Sequence, residues 1–248
     1  MRPTFASFYV AKGGLDAANA NLSITGQNMT NAKAKGYTRQ RVDLYSTGPT
    51  GWKSRYAGGP ASFIGDGVTI GGVNQLRDPY LDVRFRGENA KVGDTATQFD
   101  TLTELEGVID ESVKDGIGAQ VTDLVKQLQN LALNPGDPVA ESIVKTSSQM
   151  LTKIFNDAAV KIESMKAQEL EEFNTGAIGA VNNLLDNIAH INEEIKQANI
   201  LGNPALELLD SRNLMMDELS NFVPIEMTTK LVNISPTFTV EEISINMV

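Results

Sequence analysis

Asn28-Met29-Thr30-Asn31-Ala32-Lys33-Ala34-Lys35-Gly36-Tyr37-Thr38-Arg39-Gln40 is where the chain changes from one kind of secondary structure to another. An amphipathic helical pattern lies upstream and a strand-like pattern downstream. Asn28 and Asn31 suit the end of a helix, and Gly36 permits the positive φ that a sharp turn needs. Tyr37 adds a large apolar face with a polar tip. Before this stretch, residues 4–30 read as one helix. Ala11, Leu15, Ala18, Leu22, Thr25 and Met29 recur on it at alternating four- and three-residue steps. So narrow a seam is the pattern of a helix packed against another helix, and the small Ala11 and Ala18 permit close approach. Asn19, Asn21, Ser23 and Gln27 fall mostly off the seam. Two readings stand at this point: an ordinary amphipathic helix docked on its own domain, and an assembly helix whose partner lies on another chain or at the far terminus.

After the stretch, Tyr37, Arg39, Arg41, Asp43 and Tyr45 alternate with Thr38, Gln40, Val42 and Leu44, which predicts a short strand. Gly48-Pro49-Thr50-Gly51 and Gly58-Gly59-Pro60 mark turns. Val68, Ile70 and Val73, among Gly65, Gly67, Gly71 and Gly72, predict a second strand within a loosely paired linker. From about 78 to 221 the pattern is helical. Phe99, Leu102, Leu105 and Ile109 share one face, and Ile117, Val121, Leu124, Leu128 and Leu131 repeat the four–three step. Asn134-Pro135-Gly136-Asp137-Pro138 breaks the helix. Ile143, Met150, Ile154, Ile162, Met165, Phe173, Val181, Leu184, Ile188, Ile191 and Ile195 then extend a second helical run, which Gly176 and Gly179 bend or interrupt. Gly202-Asn203-Pro204 ends that run, and a last helix carries Leu206, Leu209, Met216 and Leu219. Strand-like spacing returns in Phe238, Val240, Ile243, Ile245 and Val248. The expected fold is mainly α. It comprises an N-terminal assembly helix over 1–36, an extended or β linker region over 37–86, an elongated antiparallel helical bundle over 87–222 and the start of a β region over 223–248.

Composition narrows the chemistry. The chain has 248 residues, a formal net charge of −10 and no cysteine. Disulfides, thiol nucleophiles and thiolate metal sites are excluded. The acidic balance argues against nucleic acid as a partner, because phosphate attraction needs positive surfaces, and Lys33, Lys35, Arg39 and Arg41 around Tyr37 are too small a patch to reverse it. No uninterrupted apolar run is long enough to cross a bilayer, so membrane insertion is not expected, and no cleavable signal follows Met1. The single histidine, His190, has no motif partner. Glu171-Glu172, Glu193-Glu194 and Glu241-Glu242 are adjacent in sequence. Neighbours on a helix point in different directions, which makes them poor acid–base pairs. No phosphate-binding glycine motif is present. The chain therefore reads as a non-enzyme with no cofactor and no metal.

With these features in place, the stretch Leu15 to Val42, including Asn28, Asn31, Gly36 and Tyr37, resembles the N-terminal signature of the bacterial flagellar rod and hook axial protein family. Arg77-Asp78-Pro79-Tyr80-Leu81-Asp82-Val83-Arg84-Phe85-Arg86 resembles the junction leading into the helical domain of its hook-associated protein 1 branch. Leu208-Leu209-Asp210-Ser211-Arg212-Asn213-Leu214-Met215-Met216-Asp217-Glu218-Leu219-Ser220 resembles the closing helix of that domain. The resemblance implies an extracellular structural subunit at the hook–filament junction of the flagellum, exported by the flagellar type III apparatus without a cleaved signal. Its implied partners are further copies of itself in a ring-like layer, the hook protein, the next junction protein, and the export apparatus with its chaperone. A hook or distal-rod subunit, or a secreted helical interaction protein using the same export route, is the alternative. A cell-wall hydrolase would need placed carboxylates or a metal site that the sequence lacks. The family continues into β-rich outer domains and an apolar C-terminal helix that pairs with the N-terminal one. That helix, and the C-terminal region where the chaperone binds, are expected to lie outside the 248 residues.

Overall fold

The computed structural model describes residues 5–47, 67–109, 116–235 and 238–247, and describes the backbone alone for Ala6, Ile109 and residues 231–235 and 238–242. The turns expected at Gly48 to Gly51 and Gly58 to Pro60, and Gly65, lie outside the described residues. The elements are α1 (Ala6–Thr30), β1 (Gln40–Ser46), β2 (Val68–Gln75), α2 (Pro79–Ile109), α3 (Ile117–Leu133), α4 (Pro138–Glu171), a π-helical turn (Glu172–Ala177), α5 (Ile178–Ile200), α6 (Leu206–Phe222), β3 (Ile225–Ser235) and β4 (Phe238–Met247). The fold is mainly α, with one antiparallel strand pair near the N-terminus and a second near the C-terminus. The chain divides into two compact units, residues 1–88 with 184–248, and residues 89–183.

In the first unit, α1 lies on the β1–β2 pair. The pair runs from Gln40 opposite Gln75 to Ser46 opposite Val68, with a bulge at Gly71 where Asp43 faces Gly72 and Leu44 faces Ile70. β1 begins at Gln40 rather than at Tyr37. The amide of Thr38 is turned to a carboxylate on α6 instead of to a neighbouring strand, so the ladder starts only past it. The core of this unit centres on α5 and α6: Met216 and Leu219 are wholly enclosed, and Ile188 and Ile195 are nearly so. Arg212 on α6 donates from Nη1 to Asn192 Oδ1 at 3.2 Å, tying the two helices. β3 and β4 pair from Ile225 opposite Met247 to Ser235 opposite Phe238.

In the second unit, α3 and α4 pack together as an antiparallel hairpin. The break read at Asn134 to Pro138 is its turn. Gly136 has φ +91°, and α4 starts with well-matched chemistry: Asp137 Oδ1 accepts from Val139 N at 2.9 Å, Pro138 occupies the first turn and Glu141 supplies negative charge there. Pro138 therefore begins a helix as well as ending one. The buried side of α4 carries Ala140 and Ser147, flanked by half-buried Val144, Leu151 and Ile154, while Ile143 and Met150 are exposed. The covered stripe is set by small and polar contacts to α3: Ser147 Oγ donates to Asp123 Oδ2 at 2.9 Å, midway along the hairpin. The interruption expected near Gly176 is the π turn, after which helix resumes at Ile178.

The Asp123 carboxylate also accepts from Gln127 Nε2 at 3.1 Å. That bond first, and the Ser147 bond second, hold its pKa below the ordinary carboxylate value. A depressed folded-state pKa adds stability above the unfolded value that is lost as pH falls through the folded one. Ser147→Ala is expected to move the Asp123 titration upward, and to reduce the loss of hairpin stability on acidification. Side-chain NMR titration of Asp123 and urea unfolding at a series of pH values measure both effects.

Candidate functional site

The loop after α1 is built around Asn28. Its side-chain amide behaves as a strand residue would: Nδ2 donates to Gln40 O at 2.8 Å and Oδ1 accepts from Gln40 N at 2.8 Å. Tyr37 Oη donates to the same Oδ1 at 2.9 Å. One side chain on the last turn of a helix thus begins the hydrogen bonding of the strand that follows. Asn31 caps the helix through its backbone, donating to Gln27 O at 3.0 Å, and Ala34 N returns a bond to Asn31 O at 2.9 Å. Gly36 takes φ +81°, and a Cβ there would stand 3.2 Å from Leu214 Cβ. Both the backbone angle and the close approach to α6 favour glycine at this position.

Leu214 belongs to a face of α6 that also carries Asp210 and Asp217. Asp210 Oδ2 accepts from Thr38 N at 3.2 Å, and its Oδ1 accepts from Gln75 Nε2 at 2.9 Å; Gln75 Nε2 also donates to Leu206 O at 2.8 Å. Asp217 Oδ1 accepts from Arg86 Nε at 2.7 Å, and its Oδ2 lies 3.7 Å from Arg77 Nη2. Arg77 bonds Asp82 through Nε at 2.6 Å and donates from Nη1 to Thr38 Oγ1 at 3.3 Å. Arg86 is 2% exposed and donates a further bond from Nη1 to Met227 Sδ at 3.0 Å. Thr38, Gln40 and Asp210 are also buried. Buried charges persist where they are paired, and removing one partner of such a pair costs about 3–5 kcal/mol. Lys35 Nζ reaches Glu218 at 3.2 Å and Arg41 Nε reaches Asp43 at 2.9 Å. The basic patch is thus partly neutralised by neighbouring acids.

The helix held by this junction has two stripes. Val10, Gly13, Ala17, Ala20, Ile24 and Gln27 face the strand pair, with Ala17 buried and the others half-buried. At Gly13 a Cβ would stand 3.1 Å from Val68 O, so the helix backbone itself rests on β2. The other stripe is the seam. Ala11, Leu15, Ala18, Leu22, Thr25 and Met29 are all exposed, with Leu15 at 62%, Leu22 at 72% and Met29 at 79%. Phe8, one seven-residue step before Leu15, is 67% exposed and extends the ribbon. The backward continuation of the heptad step was the sequence signal for Phe8. The two carboxylates on α6 had no such signal, because their partners lie 131 to 172 positions away. Among the described residues no group of histidine and acidic side chains is placed to hold a metal ion, and no helix is long and apolar enough to cross a membrane. His190 is exposed, with Nδ1 3.5 Å from Glu194 one turn on.

The three segments quoted in the sequence analysis, 28–40, 77–86 and 208–220, therefore meet at one junction. A family model described as the flagellar hook-associated protein FlgK helical domain matches residues 102–239. The chain is 32% identical over 228 residues to "Flagellar hook-associated protein 1" of Bacillus subtilis (strain 168), covering 92% of the chain and 45% of that protein. It is 25% identical over 226 residues to the protein of that name from Escherichia coli (strain K12), covering 89% and 39%. To that of Salmonella typhimurium it is 24% identical over 222 residues, covering 89% and 38%. The chain spans less than half the length of each of these relatives.

Asn28→Ala removes three hydrogen bonds at a part-buried site and is expected to destabilise the first unit by about 2–3 kcal/mol. Asn28→Asp keeps the acceptor but sets a carboxylate oxygen against Gln40 O, and should lose at least as much. Urea unfolding, with amide exchange at Gln40, measures the effect of both changes.

Proposed function

Because the chain belongs to the flagellar hook-associated protein family whose helical domain it carries, we propose that it is a non-enzymatic structural subunit of the bacterial flagellum at the hook–filament junction. It assembles through the exposed seam of α1. In this reading the segment 1–36 is the assembly helix, and copies of the protein form a ring-like layer between the hook protein and the next junction protein. Export through the flagellar type III apparatus brings the protein outside the cell.

The observation that carries this reading is the exposure of Phe8, Leu15, Leu22 and Met29 at seven-residue spacing, on a helix whose opposite stripe is already docked. Covering a leucine of this kind contributes about 1.5–3 kcal/mol, and contiguous exposed apolar surface marks an interaction site. The small Ala11 and Ala18 between the large side chains give the ribbon the relief of a helix-packing seam. The names of the similar proteins support a place at the flagellar hook.

Leu15→Asp with Leu22→Asp in the cell is expected to leave the protein folded, since both side chains face solvent, and to abolish its recovery in purified hook–filament preparations along with filament attachment. Normal filament attachment in that variant counts against the assembly seam.

A further inference from the structure

α1, β1 and β2 form an arm with contacts of its own. α1 rests on both strands, the Gly13 backbone lies against Val68, and Asn28 closes the helix onto Gln40. Where this arm meets α6, polar contacts join the two. They include Thr38 N and Gln75 Nε2 on Asp210, Gln75 Nε2 on Leu206 O and Lys35 on Glu218, with Gly36 against Leu214. Gln40 and Gln75 are register partners, so Thr38 and Gln75 stand at the same end of the strand pair. One buried carboxylate thus takes a donor from each of the two chain segments at that end. An apolar contact tolerates sliding, whereas two hydrogen bonds to the two oxygens of one carboxylate fix direction as well as distance.

We propose that Asp210 is a positioning residue for the assembly seam. It fixes the angle at which the α1–β1–β2 arm leaves the closing helix, and so the direction in which Phe8, Leu15, Leu22 and Met29 face. The inference rests on the reading of that seam as the assembly surface. Asp210 is buried and acts through the arm. Asp217 has a different task. It neutralises the buried Arg86, so its loss threatens the fold before it alters any angle.

The chain contains no cysteine, so pairs of introduced cysteines carry spin labels without background. Asn21→Cys with Asn221→Cys reports the arm against α6, and Asn21→Cys with Ser46→Cys reports the interior of the arm. All three native positions are exposed. Asp210→Asn keeps the size of the side chain but presents an amide NH2 to one of the two donors. Gln75→Ala removes one donor and leaves the carboxylate. In pulsed dipolar measurements on the full 248-residue chain, the parent should give a single narrow distance distribution for each pair. Asp210→Asn should lose the narrow peak for the arm–α6 pair and keep it for the pair inside the arm. Gln75→Ala should broaden the first pair to a smaller extent. In the cell, Asp210→Asn with the seam untouched should lower recovery in hook–filament preparations about tenfold.

An arm–α6 distribution as narrow as the parent's in both variants overturns the proposal. Broadening of both pairs together also overturns it, because Asp210 then maintains the arm's fold and not its aim. Parental recovery in the cell despite a broadened distribution removes the positioning role in assembly. The seam itself is judged separately, by the Leu15 and Leu22 charge variants.

Discussion

The arrangement of the N-terminal part depends on one helix face. Asp210, Leu214 and Asp217 on α6 receive the turn after α1, the end of the strand pair and the beginning of α2. Each contact joins segments more than 130 positions apart in the chain. A guanidinium as enclosed as that of Arg86 is tolerated only because Asp217 supplies the opposing charge at hydrogen-bond distance. The closing helix therefore receives the turn after α1, the end of the strand pair and the start of α2, as well as contributing a share of the core. Met216 and Leu219 contribute the burial, and the carboxylates two turns apart contribute the specificity.

α1 shows how one helix serves two surfaces. The middle of its inward stripe is made of small residues, Gly13, Ala17 and Ala20, between the larger Val10 and Ile24, and at Gly13 the helix backbone approaches β2 closely. Its outward stripe holds the large apolar side chains. This inverts the usual distribution, in which the large residues are covered and the small or polar ones face water. Asn28 and the junction beyond it add polar contacts that do not depend on apolar area. The large side chains remain available for a second surface.

The α3–α4 hairpin relies on a related economy. Ala140 and Ser147 are its buried residues on α4, and Val121, Leu128, Ile143 and Met150 stay substantially exposed. The Ser147–Asp123 bond sets the register between the two helices where apolar burial is modest. Its turn, by contrast, is specified locally, with Gly136 at positive φ and Asp137 and Pro138 starting the next helix.

By itself the sequence determined the helix breaks at Asn134 to Pro138 and Gly202 to Pro204, which residues share a helix face, and the family the three motifs resemble. Helix periodicity, Asn134 to Pro138, Gly202 to Pro204 and the alternation from Tyr37 to Tyr45 are local signals, and local backbone preferences act without reference to the rest of the chain. The tertiary structure decided which stripe of α1 and of α4 is covered, why β1 starts at Gln40, and what Asn28, Thr38, Asp210 and Asp217 do. Periodicity groups side chains onto a face but does not say what that face meets. A hydrogen bond forms only when donor and acceptor come within about 3 Å in the right direction, and for residues 131 to 172 positions apart that proximity is created by the fold and by nothing shorter in range.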